Sequence, residues 1–299
     1  MNLLDFLLER HKDISRNKLK GYLSKGAVQV DGQIQTKFDF QVTSDNKVEI
    51  IRDRKRQGYL SNADRNMRHF AQIVYEDKWL IVIDKHVGVL SVPSGHHSFS
   101  LKNLLDEYLQ RKGEKCTAHV VHRLDKETSG LMLFAKSRQV QEIFTSNWHE
   151  IILDRRYYAV TSGIPTVEQD TLSSWLLDDK FYYTHSSPVD NGGKWAVTHY
   201  QVLATSGRWA LLDVKLDTGR KNQIRVHLQD IDCPVIGDLK YGNGDDPAKR
   251  LGLHAYLIRF QHPITGKTME FKSVLPPALE KIVPNSRPSY RFKNLNNNK

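Results

Sequence analysis

The block Ala118 to Ser137, AHVVHRLDKETSGLMLFAKS, limits the fold more than any other stretch of the chain. It opens with an apolar run, sets His122, Arg123 and Asp125 close together, crosses a polar turn at Lys126 to Gly130, and returns as the apolar run Leu131 to Ala135. Two apolar runs around a polar turn with glycine predict a pair of buried strands. Residues two apart on a strand share a face, so Arg123 and Asp125 are expected to leave the first strand together. Charges at the tip of a buried hairpin cost free energy unless they are satisfied or used. Residue types alone leave two readings open: an ion pair that pins a turn, or a reactive carboxylate beside its cation.

Around this block the chain divides by texture. Residues 1–51 read as a compact module. Leu3, Leu4, Leu7 and Leu8 recur at helical spacing, and Ser15 caps a second helix running through Ser24, with Leu19, Tyr22 and Leu23 on its apolar side and Gly26 as its stop. Asp31-Gly32 between alternating apolar residues is a hairpin signal, and Lys47 to Ile50 supplies a closing strand. Residues 52–70 are polar and basic, too poor in aliphatic side chains to fold alone, and are expected to be a linker. From 71 to 285 strands mostly succeed one another with occasional helices, which predicts an α+β fold on an antiparallel or mixed sheet. Two strands split at Glu76-Asp77, helices over Leu101 to Leu109 and Val140 to Trp148, a strand over Arg156 to Thr161 and a hairpin of Ala196–Ala204 with Trp209–Leu216 are expected. Residues 167–194 are placed at the surface without an assignment, and 286–299 form a polar tail.

Charge narrows the partners. Lys+Arg total 44 against 34 Asp+Glu, a formal net charge of +10, which favours a polyanion. The longest apolar runs are strand-sized, far below the ~20 residues of a membrane helix. MNLLDFLLERHKD carries acids inside its apolar stretch and reads as no secretion signal. Cys116 and Cys233 make no disulfide framework and suit a reducing, cytoplasmic compartment. Neither a GxGxxG opening a helix nor a phosphate-binding GxxxxGK[ST] loop occurs. His119 and His122 stand three apart without a fitting third ligand, so no metal is expected.

HRLDKETSGLMLFAKS resembles the central motif of the RluA-type pseudouridine synthases, whose pattern is His-Arg-Leu-Asp, two variable residues, Thr-Ser-Gly and an apolar strand. Two more blocks agree, DRRYYAV at Asp154 to Val160 and LDTGRKNQIRVHL at Leu216 to Leu228. The resemblance implies an isomerase that detaches a uracil from its ribose, turns it and rejoins it through carbon five, with no redox cofactor, nucleotide or metal. It implies that Asp125 is the catalytic carboxylate, acting on the anomeric carbon or on the neighbouring ribose proton, and that Arg225 keeps it ionised. Ile224, Val226 and Leu228 alternate with Arg225 and His227, which predicts a strand with Arg225 opposite the core-facing set. Tyr157 matches the family tyrosine that stacks on the uracil and takes the proton from carbon five, and alternation leaves Tyr158 to the core. Arg123 resembles the residue that fills the position vacated by a flipped base, and Arg220 is a candidate phosphate contact.

The stretch SRNKLKGYLSKGAVQVDGQ resembles the αL RNA-binding module, the ribosomal-protein-S-four-like domain. That likeness implies that Arg16, Lys18, Lys20 and Lys25 face RNA, against the plainer reading of a solvated helix face. It leans the substrate toward large-subunit ribosomal RNA over transfer RNA; separately, the protein is expected to be a monomer. Two positions depart from the family pattern: His86 stands where Lys-Pro-x-Gly has proline, and Asn222 where a histidine commonly precedes Gln-Ile-Arg. The rival readings are a non-catalytic RNA-binding or ribosome-assembly protein on this scaffold, a glycosidase needing Glu127 as its second carboxylate, and a serine hydrolase, for which Ser129 lacks the GxSxG setting.

Overall fold

The computed structural model describes residues 1–24, 27–50, 67, 69–94 and 99–284. The chain divides into two compact units, Met1–Ser61 and Asn62–Lys299. The division falls inside the stretch expected as a linker, most of which lies outside the described residues, as do Lys25, Gly26 and the tail.

In the first unit, α1 (Leu3–Arg10) and α2 (Arg16–Ser24) pack on a three-stranded antiparallel sheet of β1 (Val28–Val30), β2 (Gln33–Ile34) and β3 (Val48–Ile50), with β1 central. The apolar stripes of both helices meet the sheet through Leu3, Leu7, Leu19, Leu23, Val28 and Val30. The Asn2 side chain caps α1 by accepting the Asp5 N–H at 2.9 Å, and Ser15 Oγ accepts the Lys18 N–H at 3.4 Å. Asp31 and Gly32 take φ of 50° and 78°, the two left-handed residues that a tight hairpin between β1 and β2 requires.

The second unit runs β4 (Ala71–Glu76), β5 (Leu80–Lys85), α3 (Leu101–Arg111), β6 (His119–Val120), β7 (Ser129–Ala135), α4 (Arg138–Ser146), α5 (Trp148–Ile151), β8 (Ile152–Ser162), β9 (Gln169–Asp178), β10 (Thr184–Ser187), β11 (Lys194–Ser206), β12 (Trp209–Leu216), α6 (Gln223–Asp230), β13 (Leu253–Gln261), β14 (Thr268–Lys272) and α7 (Pro277–Glu280). Its sheet follows the order β10-β9-β11-β12-β8-β13-β7-β5-β4, with β6 on β7 and β14 on β13. Every pairing is antiparallel except β7 with β13. This is the α+β fold on a mostly antiparallel mixed sheet that the strand succession predicts.

Strands β5 and β7 are covered on both faces, so they read as continuous apolar runs. Ile81, Ile83, Met132 and Phe134 face α3 and α6, whereas Leu80, Val82, Leu131 and Leu133 face α4. Gly130 makes the parallel contact possible. Its φ is +115°, and a β-carbon there would lie 2.2 Å from the carbonyl oxygen of Ala255 across the β7–β13 pairing. Among the described residues, no helix is long and apolar enough to cross a membrane.

Two expectations are corrected, and a surface stretch left without an assignment gains two strands. Gln223 to Leu228 is helical, not a strand: α6 is buried on two sides, Ile224 and Leu228 against the main core and Val226 against Leu176 and Tyr241, so every second residue is apolar without a strand's geometry. Arg123 and Asp125 do not sit on a strand. Pairing with β7 stops after Val121, and Leu124 instead bonds the Ser91 hydroxyl through its N–H (3.2 Å) and its carbonyl (2.6 Å). Residues 167–194 hold β9 and β10, whose outer position in the sheet leaves them polar and half exposed, without the apolar alternation of a buried strand.

Candidate active site

Asp125 lies in the loop between β6 and β7, where its carbonyl accepts the Thr128 N–H at 3.1 Å and closes the turn. The turn is held from below by Lys85, a fully buried lysine whose Nζ donates to the carbonyls of Lys126 (2.8 Å) and His86 (2.9 Å). Burial pushes this ammonium down to about 7, with the nearby carboxylates of Glu127 and Asp125 opposing. Gly88 also donates to the Lys126 carbonyl, at 2.9 Å. The His86 N–H, which a proline would lack, bonds the Phe70 carbonyl at 2.8 Å, and its ring Nδ1 meets the His69 carbonyl at 2.7 Å. Hydrogen bonds therefore hold the turn where the family pattern has a ring.

Opposite the carboxylate stands Arg225 on α6. Its Nη1 lies 3.4 Å from Asp125 Oδ2, longer than the usual range for an ionic hydrogen bond. The rest of the guanidinium is committed to Asp238, with Nε to Oδ2 at 2.6 Å and Nη2 to Oδ1 at 2.7 Å. The Asp238 side chain is wholly buried, and its Oδ1 also accepts the N–H groups of Lys240 and Tyr241. Burial alone would raise the Asp238 pKa, but the hydrogen bonds and charge of Arg225, with the backbone bonds, hold it below the ordinary carboxylate value. Arg225 titrates higher than an ordinary arginine: burial works against its charge, and Asp238 and Asp125 outweigh that.

Asn222 completes the support. It precedes α6 in the left-handed conformation, φ 55°, which asparagine tolerates, and its Oδ1 accepts from Arg225 Nη1 at 2.9 Å. Its Nδ2 donates to Thr184 Oγ1 and to the Tyr241 hydroxyl. The residue that departs from the family pattern is thus a brace for Arg225. Gln223, next to it, ties α6 to β11 through Thr198 Oγ1 and the Val197 carbonyl, both at 2.9 Å.

Tyr157 and Tyr158 take opposite faces of β8. Tyr157 borders the cleft with Asp125, Arg225, Arg123 and Arg220, while Tyr158 stacks on Tyr256, ring centroids 3.8 Å apart. Burial raises the Tyr157 hydroxyl pKa, the Arg155 guanidinium beside it pulls the other way, and the Asp125 charge adds to the rise. Arg123 and Arg220 are exposed at the rim, with Arg220 Nε on the Trp195 carbonyl at 3.0 Å. Arg16, Lys18 and Lys20 lie exposed on α2 of the first unit, Arg16 at 4.0 Å from Asp5, and Lys25 lies outside the described residues. His119 bonds Thr117 Oγ1, and His122 Nε2 accepts the Leu133 N–H at 3.2 Å.

Sequence reasoning missed Asp238 and Lys85. The only trace of Asp238 is its place in a Gly-Asp turn, a common structural setting. Lys85 looks like an ordinary strand-end lysine until its burial is seen.

Residues 79–230 match the RNA pseudouridylate synthase family. The chain is 34% identical over 213 residues to the uncharacterized RNA pseudouridine synthase YhcT of Bacillus subtilis, covering 70% of each protein. It is 30% identical over 301 aligned residues to the ribosomal large subunit pseudouridine synthase D of Pasteurella multocida, covering 96% of this chain and 91% of that one. The structure of human RNA pseudouridylate synthase domain containing 4 shares the fold, with a TM-score of 0.61 and 23% identity over 75% of this chain and 97% of that chain. Motif, fold and family agree: the chain belongs to the RNA pseudouridylate synthases, and among them to the RluA-type enzymes.

Proposed function

We propose that this synthase isomerises uridine in large-subunit ribosomal RNA, with Asp125 as its catalytic carboxylate. The observation that carries the reading is the Asp125–Arg225 pair: a half-exposed carboxylate open to substrate, 3.4 Å from a cation whose other nitrogens are committed elsewhere. Whether the carboxylate attacks the anomeric carbon or takes the neighbouring ribose proton, the step begins from its ionised form. Tyr157 closes one side of the cleft, where its ring packs on the freed uracil and its hydroxyl receives the proton from carbon five. The phenolate is the form that takes this proton, and the Arg155 guanidinium beside the oxygen opposes the rise in pKa that burial causes.

Arg123, at the rim, enters the stack where the uridine leaves it, a displacement that costs about a few kcal/mol of unstacking. Arg220 takes a phosphate. The isomerisation conserves every atom and electron of the nucleoside, so the reading requires no cofactor or metal. The module 1–51, with Arg16, Lys18, Lys20 and Lys25, adds RNA affinity to the catalytic region 71–285, and the protein works as a cytoplasmic monomer. The target class rests on the function that the Pasteurella relative's name states, and this chain matches that relative over nearly its whole length.

The target is tested by tritium release from uridine labelled at carbon five in separate large-subunit ribosomal and transfer RNA transcripts. Release from the ribosomal transcript is expected. Release from transfer RNA alone would overturn the target.

A further inference from the structure

Arg155 is a mostly buried cation on β8 beside the Tyr157 hydroxyl. Its residue is 8% exposed, and among the described residues it forms no ion pair. Its guanidinium lies over the Trp148 ring at 5.0 Å, reaches the Thr218 carbonyl at 3.5 Å, and stands beside the Tyr157 hydroxyl. The adjacent Arg156 is the contrast: it holds Asp154 at 3.0 Å and Asp213 at 2.6 Å. A guanidinium has five donors, of which one long carbonyl bond and a tyrosine hydroxyl use few; none of its nitrogens is both buried and unpartnered, so the remaining donors open onto the cleft. A ring face compensates only part of the desolvation of a cation.

The place where Arg155 is exposed explains the imbalance. It lines a cleft that also takes in Arg123, Arg220, Trp148 and His149, and that shares Arg123, Tyr157, Leu216 and Arg220 with the Asp125 pocket. Three guanidiniums thus meet one acid in that lining, Asp217, which is already engaged by His199 at 2.8 Å. The empty space is about 1010 Å³, more than the Asp125 pocket at about 400 Å³. A planar fork in a cleft wall, with donors open to the cleft and other cations beside it, matches a phosphodiester.

We propose that this second cleft holds the RNA backbone next to the flipped uridine, and that Arg155 is the group that receives its phosphate. The inference rests on the reading of the Asp125 pocket as the uridine site. It makes Arg155 a binding residue, distinct from the rim arginines because most of its side chain is fixed in the cleft wall against Trp148.

The test is equilibrium binding of the large-subunit ribosomal RNA transcript by the full-length protein across a salt series, comparing wild type, Arg155→Met and Arg155→Lys. Losing one charge-assisted hydrogen bond set is expected to weaken binding by about 10- to 100-fold in Arg155→Met. The slope of log affinity against log salt is expected to become shallower by about 0.7–0.9, the value of one neutralised phosphate. Arg155→Lys, which keeps the charge, should retain the wild-type slope. A role confined to packing on Trp148 would weaken binding in both variants and leave both slopes at the wild-type value, and that result would overturn the proposal. Failure of the Asp125 reading would be seen separately, as tritium release that survives Asp125→Asn, and would leave the slopes to be read on their own.

Discussion

Arg225 gives Asp238 two short hydrogen bonds, at 2.6 and 2.7 Å, and its third nitrogen, which donates to Asn222 Oδ1 at 2.9 Å, lies 3.4 Å from Asp125. The better bonds therefore go to the wholly buried Asp238, which does not line the cleft. Asp238 fixes the plane of the guanidinium, and the looser contact leaves the Asp125 carboxylate free to meet substrate.

The first prediction concerns Asp238→Asn. Loss of the buried anion should cost about 3–5 kcal/mol of stability, the range for breaking one side of a buried pair. It should also lower kcat by about 10²-fold, the effect of a small misplacement at a reacting centre. Urea unfolding and tritium release measure the two. A variant destabilised as expected but with wild-type kcat would show that Arg225 is held by Asn222 and helix packing alone.

Tyr157 and Tyr158 should separate by phenotype. Tyr157→Phe removes only the hydroxyl at the cleft and is expected to slow turnover with little change in stability. Tyr158→Ala empties the stack on Tyr256 and should cost about 3–5 kcal/mol while leaving the cleft's polar groups in place. Equal losses of turnover in stably folded samples of both would contradict the assignment by faces of β8.

The first unit's basic helix should show itself in salt dependence. Replacing Arg16, Lys18 and Lys20 together by glutamine, all exposed, should weaken binding of ribosomal RNA and lower the salt slope by up to about 0.7–0.9 for each phosphate that is no longer neutralised. The stability of the unit, whose core contains none of the three, should not change. An unchanged slope would assign these side chains to solvent.

Stability should fall on mild acidification. Burial holds His254 down to about 3 and His227 to about 4, and both are neutral in the fold. The unfolded chain protonates these rings near pH ~6.5, so it binds more protons than the native state below that value. The stability they allow is fully present above that value and lost as pH falls from there toward 4 and 3. Each ring contributes a slope approaching ~1.4 kcal/mol per pH unit. Urea midpoints taken from neutral pH down to mildly acid pH should drop, and His227→Asn should flatten the drop. A flat profile in the wild type would mean that these rings are protonated inside the fold.

The sequence revealed most where one periodicity had one cause. The alternation along β8 puts Tyr157 and Tyr158 on opposite faces because β8 is a true strand with a different layer on each face. The Asp31-Gly32 turn was legible because two adjacent left-handed residues have few other uses. Arg225 was found by resemblance and set on the wrong element, since a helix buried on two sides copies a strand's alternation over a few residues. Asp238 was not legible. It acts on a residue 13 positions away through a turn whose course no local pattern dictates. The loop carrying Asp125 was read as a strand end because the bonds of Leu124 to Ser91 join segments 33 positions apart.

The most direct measurement is tritium release from ribosomal RNA labelled at carbon five of uridine, by wild type and Asp125→Asn, with RNA binding followed in the same samples. The expected result is release by the wild type and none by the variant, at equal RNA affinity. Release by Asp125→Asn at the wild-type rate would contradict the central claim that this carboxylate, beside Arg225, carries the reaction.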